Sequence, residues 1–156
     1  MLQTRKAVVE DAELIAWHRK AMFAAMGRAK EAALETMRRN CVPWLERMMA
    51  DGKYLGWITC DDARPVASAG LMLLDWPPHP LDPAGTQRGY LLNVFVEAEY
   101  RKRGLARELV EECMAEARRR GIRVVTLHAS DAGRPLYERL GFSATNEMHF
   151  REPAEG

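Results

Sequence analysis

Tyr90-Leu91-Leu92-Asn93-Val94-Phe95-Val96-Glu97-Ala98-Glu99-Tyr100-Arg101-Lys102-Arg103-Gly104-Leu105-Ala106-Arg107-Glu108-Leu109-Val110 is the stretch from which the rest of the chain can be read. Tyr90–Val96 is a short apolar run rich in β-formers, the pattern of a buried strand. From Leu105 onward the apolar residues recur at Leu109, Val110, Cys113, Met114 and Ala117, a helical stripe with charge on the opposite face. Between strand and helix lies a basic turn. The first N–H groups of the helix have no intrahelical partner, and the helix dipole places partial positive charge there. Gly104 has no Cβ to hold a ligand off the backbone. Arg101, Lys102, Arg103 and Arg107 add to the same field. Together these make an anion site, most naturally for a phosphate or pyrophosphate. A charged connection with merely solvated arginines carries a similar pattern. Neither GxxxxGK[ST] nor GxGxxG is present.

Working outward, the whole chain has 156 residues, the length of one domain, with 47% hydrophobic and 29% charged residues. A net charge of +1 gives no long-range pull towards nucleic acid or an anionic membrane. The second basic cluster, Arg118-Arg119-Arg120-Gly121, is what a helix C-terminus with a capping glycine favours. It shows no aromatic interleaving of the nucleic-acid-binding kind. Cys41, Cys60 and Cys113 are odd in number, widely spaced and without a Cys/His metal pattern, so they are expected as reduced thiols and no metal is expected. No run has the length of a signal peptide or a membrane span, so a soluble, cytoplasmic protein is expected.

Upstream, Gln3–Val9 reads as a first strand. A helix follows with Leu14, Ile15, His18, Met22, Ala25 and Met26 on its stripe, ended by Gly27. His18 on that stripe reads as a core or rim histidine. A second helix from about Lys30 carries Leu34, Met37, Cys41, Trp44, Leu45 and Met48, with a kink or break expected at Pro43. Lys53–Cys60 and Val66–Trp76 read as an antiparallel hairpin, with Gly70 marking a bulge or close backbone approach. Residues 77–89 form a proline-rich loop of unusual length. Downstream come a strand at Arg123–Ala129, a turn at Ser130–Gly133, a short helix Leu136–Leu140, a last strand at 144–150 and a disordered tail at 151–156. The order β-α-α-β-β-β-α-β-α-β calls for one α/β (α+β) domain over 1–150. Its mixed, mostly antiparallel twisted sheet has about six to seven strands and is flanked by about four helices.

Arg101, Gly104 and Ala106, placed after a buried strand, fill R-x-x-G-x-A, which resembles the acetyl-CoA-binding motif of the GNAT acyltransferase superfamily, [QR]-x-x-G-x-[GA]. Leu136-Tyr137-Glu138-Arg139-Leu140-Gly141-Phe142 resembles that superfamily's LYEKLGF segment, and Arg5-Lys6-Ala7 with Asp11 and Ile15 resembles its opening strand and helix. The resemblance implies acetyl-CoA as cofactor and acyl transfer to a small-molecule or protein amine. The backbone of Val94, Phe95 and Val96 would pair with the pantetheine arm as an added strand, and Arg101, Lys102, Arg103, Gly104, Leu105, Ala106 and Arg107 would hold the pyrophosphate. Tyr137 matches the residue that protonates the departing thiolate. Ser130 stands where many members carry a cofactor-contacting asparagine. The usual acidic base on the organising strand is missing, leaving Glu97, His128, His18 or an ordered water as candidates. With only one strand after Phe142, where many members have two, a sheet edge is left open to a partner chain, which makes a homodimer possible.

Acceptor access in that fold lies along the first two helices and neighbouring loops, where this chain offers Trp17, His18, Met22, Met26 and Trp44, with Trp76 and the proline-rich loop as a lid. Core burial is the competing fate of each of these residues. An acetyltransferase acting by direct attack of an amine on the thioester is the leading reading. A non-catalytic coenzyme A-binding sensor or interaction module is the alternative from a different class.

Overall fold

A computed structural model describes residues 1–154. Its strands are β1 (Leu2–Lys6), β2 (Tyr54–Asp61), β3 (Arg64–Asp75), β4 (Gln87–Val96) and β5 (Val125–Leu127). The helices are α1 (Ala12–Met26), α2 (Glu31–Ala50), α3 (Leu105–Arg119) and α4 (Arg134–Arg139), with short 3-10 turns at Val9–Asp11 and Ala98–Tyr100. The sheet order is β1-β2-β3-β4-β5. Every pairing is antiparallel except β4 with β5, whose crossover is α3.

Each face of the sheet has its own core. On one side Leu105, Leu109, Val110, Cys113 and Ala117 of α3 pack on Trp57, Ala69, Leu71 and Leu91, with Tyr137 of α4 and Leu140 just after it at the margin. On the other, Ala12, Ile15 and Ala16 of α1 and Leu45 of α2 close over Tyr54, with Leu92 at the edge. Each fully buried Leu or Ile contributes about 1.5–3 kcal/mol, so the two clusters fix both helix layers against β4.

The β3–β4 ladder carries the feature that shapes the site. Ser68 pairs with Phe95 and Gly70 with Leu92, so Ala69 faces both Asn93 and Val94. That is a bulge, and Asn93 takes the left-handed conformation that an asparagine tolerates, at φ 56°. The expectation at Gly70 is met in both senses. A Cβ there would collide with the Tyr54 hydroxyl, so the glycine makes room for that ring beside the bulge.

Two expectations are corrected. The sheet has five strands rather than six or seven, because residues 144–150 form no strand. Met148 and Phe150 are the only large apolar side chains in that segment and both are exposed, so it has little to bury against a β5 only three residues long. Pro43 does not divide α2, which runs unbroken over twenty residues. Pro43 and Arg39 both lie on the exposed side of the helix, where water is at hand for the carbonyl that loses its donor. Of the tail expected at 151–156, residues 151–154 are exposed without regular structure and 155–156 lie outside the described residues. Among the described residues no helix is long and apolar enough to cross a membrane.

Candidate active site

The turn from β4 to α3 has an unusual backbone. Lys102 and Gly104 are both left-handed, at φ 62° and 83°. For a lysine this costs about 1–2 kcal/mol, and alternating handedness gathers successive N–H groups into an anion-binding concavity. The first intrahelical bond of α3 runs from the Glu108 N–H to the Gly104 carbonyl. Among the described residues, the N–H groups of Lys102, Arg103, Gly104, Leu105, Ala106 and Arg107 have no acceptor. No side chain caps the helix, and a Cβ on Gly104 would meet only open space. The glycine is therefore required by its φ and by whatever occupies that space.

The arginines of this turn are mostly engaged locally. Arg101 Nε donates to the Val96 carbonyl at 3.1 Å, Arg103 to the Glu99 carbonyl at 3.2 Å, and Arg107 to Glu111 at 3.0 Å. Arg103 also lies over the Tyr100 ring. Backbone N–H groups thus supply the free donors, with the arginines adding field.

Beside the turn, β4 has an unpaired edge. Its pairing with β5 covers only Gly89–Leu91 against Val125–Leu127, and from Leu92 onward the two strands part. Glu97 N–H donates to the Val66 carbonyl of β3. By strand alternation Phe95 also turns its amide groups to β3, while Val94 and Val96 turn theirs into the cleft. The sequence reading assigned all three to the pantetheine arm. The geometry gives the free groups to Val94 and Val96 and puts the Phe95 ring 4.8 Å from His18 on the other face.

Different groups flank the two sides of this cleft. On the α3 side, Tyr137 packs edge-on to Phe142 at 5.9 Å and over Gly133. Burial is the main cause raising its hydroxyl above the ordinary tyrosine value, so it stays protonated at neutral pH. That hydroxyl makes no hydrogen bond among the described residues. Ser130 accepts the Gly133 N–H at 3.1 Å, closing the turn into α4. On the α1 side, Tyr90 and His128 form a hydrogen bond where β4 and β5 part. Further along, Arg19 of α1 donates to Asn93 at 2.7 Å, and Asn93 donates to the Tyr54 hydroxyl at 3.1 Å.

The chain matches the model of the acetyltransferase (GNAT) family over residues 11–142. It belongs to the GNAT acetyltransferase family. A GCN5-related N-acetyltransferase from Ralstonia eutropha JMP134 is 39% identical and superposes with a TM-score of 0.92 over 97% of this chain and 99% of that one. A predicted acetyltransferase from Clostridium acetobutylicum, solved with acetyl-CoA, is 26% identical with a TM-score of 0.89, over 97% and 96% of the two chains. Glucosamine-6-phosphate N-acetyltransferase from Arabidopsis thaliana shares the fold at 17% identity, with a TM-score of 0.69 over 99% of each chain. A comparison with curated protein sequences gave no match.

The residues expected to line the acceptor side of this GNAT domain do not form one wall. His18 is buried, with Nδ1 2.7 Å from Ser68 Oγ, and burial holds its pKa down to about 4. Trp17 is half exposed on the outer surface, between Lys20 and Arg38. Trp44 packs edge-on to Tyr54 in the core. Trp76 lies under Arg88, at the paired end of β4 away from the opening. The proline-rich loop is tied there by the Trp76 N–H to Thr86 carbonyl bond. Met22 and Met26 remain on the later turns of α1. There Arg28 reaches to within 3.9 Å of Asp131, bringing the α1–α2 connection to the open end of the cleft. The Arg19–Asn93–Tyr54 chain is absent from the sequence reading. Its available signal was Asn93 itself, a lone amide in an apolar strand, which needs partners when buried.

A depression of about 630 Å³ lies elsewhere, over α3 between Thr4 and Leu140. Its lining sets Glu108, Glu111 and Glu112 against the single cation Arg118, an acidic balance that disfavours an anionic ligand.

Proposed function

We propose that this GNAT chain is a cytoplasmic N-acetyltransferase that takes its acetyl group from acetyl-CoA and passes it to an amine by direct attack on the thioester. The supporting observation is the run of unpaired N–H groups from Lys102 to Arg107 beside the free edge of β4. A pyrophosphate satisfies the first and an amide-bearing arm the second, and one extended ligand with both groups suits the pair. When bound, the coenzyme supplies an activated thioester carbonyl.

The roles of the protein follow from position. Val94 and Val96 orient the arm, and Tyr137 gives its proton to the sulfur as the carbon–sulfur bond breaks. The amine nitrogen bonds to the carbonyl carbon and loses a proton to water or to His128, the histidine at the opening. His18 is sealed and bonded to Ser68 and takes no part in this transfer. Burial raises the thiols of Cys41 and Cys113, so neither offers the thiolate a covalent route needs.

Thermal unfolding with and without acetyl-CoA is the test. At a hundredfold excess over Kd the coenzyme adds about 2.7 kcal/mol. Gly104→Val, which puts a β-branched side chain at φ 83°, loses most of that gain relative to its own unliganded midpoint. An unmoved wild-type midpoint overturns the proposal. A shift without thiol release across an amine panel leaves a coenzyme-binding module instead.

A further inference from the structure

Arg19 stands out on the acceptor side of the cleft. It is half-buried on the third turn of α1, with its guanidinium 4.9 Å over the Phe23 ring and Nη1 on Asn93. Among the described residues no carboxylate lies within ion-pair distance of it. Residues 17–39 hold six Lys and Arg against two glutamates. Both glutamates are taken, Glu31 by Lys20, and Glu35 by Lys20 and Arg38. The neighbouring polar groups are uncharged: Asn93, the Tyr54 hydroxyl, the Cys41 thiol, and His18 in its neutral form.

A half-buried guanidinium whose protein contacts are a neutral amide and an aromatic ring keeps its charge unpaired and available to an anion. Here Nε and Nη2 make no protein hydrogen bond, and neither is sealed from solvent. Those two nitrogens form the fork that binds a planar oxyanion through two parallel bonds. Phe23 and Asn93 fix the plane of the fork. Asn93 is in turn held by Tyr54 on the bulge, at the point where the edge of β4 becomes free.

We infer that the acceptor is an amine carrying an oxyanion, a carboxylate or a phosphate, which docks on the Nε/Nη2 edge of Arg19 while its amine reaches the thioester. This rests on the acetyl-transfer reading and makes Arg19 a specificity residue within it. The anion binds to α1 and the coenzyme to the strand edge, so the two charged ligands do not compete for one site.

The experiment measures thiol release from acetyl-CoA with matched acceptors: an α-amino acid against its amide, and an aminoalkyl phosphate against its amino alcohol. The wild type prefers the anionic member of at least one pair by about 10- to 100-fold in kcat/KM, the range for a hydrogen-bonded charge. The pair that shows the preference identifies the anion. Arg19→Gln, which can still donate to Asn93, abolishes the preference by raising KM for the anionic acceptor far more than for the neutral one, and Arg19→Lys restores part of it. A wild-type preference for the neutral member, or an equal loss for both members in Arg19→Gln, overturns the inference. A readout without turnover uses the N-acetyl products with coenzyme A. The anionic product raises the wild-type unfolding midpoint more than the neutral one, and Arg19→Gln removes the difference. Equal midpoints in the wild type count against the inference. Failure of the acetyl-transfer reading itself would show separately, as no midpoint shift with acetyl-CoA alone.

Discussion

Tyr137 is partly buried and His18 fully so, both are titratable, and their surroundings give them opposite duties. Tyr137 spends its hydroxyl on no protein partner, so Tyr137→Phe should leave stability and coenzyme affinity nearly unchanged. Turnover should fall about 10²–10⁴-fold if the hydroxyl is the acid. Unaltered single-turnover rates would return the ring to a packing role against Phe142. His18 is a matter of stability instead. In the folded chain it stays neutral down to about 4, whereas in the unfolded chain it takes up its proton near 6.5. The unfolded state binds more protons between those values, so stability falls as pH drops through that window, by about 3 kcal/mol in all. The paired carboxylates Asp11, Asp61 and Glu116, whose pKa values are lowered, lose their contribution only at more acidic pH. Denaturant titrations of the wild type and His18→Leu from pH 7 to about 4.5 check this, since the variant's stability should be nearly flat there. An equal slope in both would mean that other groups carry the acid sensitivity.

At the scale of elements, what the sequence made legible was local. Tyr90–Val96, the glycine turn and the stripe of α3 each depend on neighbours within a few residues, and all three stand where the periodicity put them. The α2 helix was legible, but the break expected as one outcome at Pro43 does not occur, Pro43 lying on the exposed side of the helix. The segment at 144–150 misled because alternation suggests a strand, while strand formation needs a partner edge and something to cover. The lid reading of the proline-rich loop met a similar limit. Nothing in the composition of residues 77–89 says at which end of β4 the cleft opens. That is decided by the short pairing of β4 with β5.

At the scale of the molecule, two of the basic regions border the cleft, the 101–107 turn and the stretch from Arg19 through the α1–α2 connection, while the whole chain stays near neutrality. The first was visible as a cluster in the sequence. The second was not, because Arg19 becomes conspicuous only after the fold shows which glutamates its neighbours consume. Tyr54, Gly70, Asn93 and Arg19 come from three strands and a helix, and no one-dimensional pattern joins them.

The bulge at Asn93 also bears on why such a strand persists. Leu91 before it and Val94 and Val96 after it all face α3, while Leu92 and Phe95 face α1. Remove Asn93 and Val94 drops opposite Ala69, so every other residue keeps its side in an uninterrupted ladder. The sidedness of the sheet therefore does not require the extra residue, and a left-handed asparagine is not free. A variant lacking Asn93 should fold, with a straighter β4 able to zip further along β5. Hydrogen exchange should then find slower amides at 94–96, and acetyl-CoA should no longer shift the unfolding midpoint. Unprotected amides together with intact coenzyme binding would show that the opening has another cause. On this reading the asparagine is a wedge: an imperfection in β4 holds open a sheet whose more perfect form would be closed to its ligand.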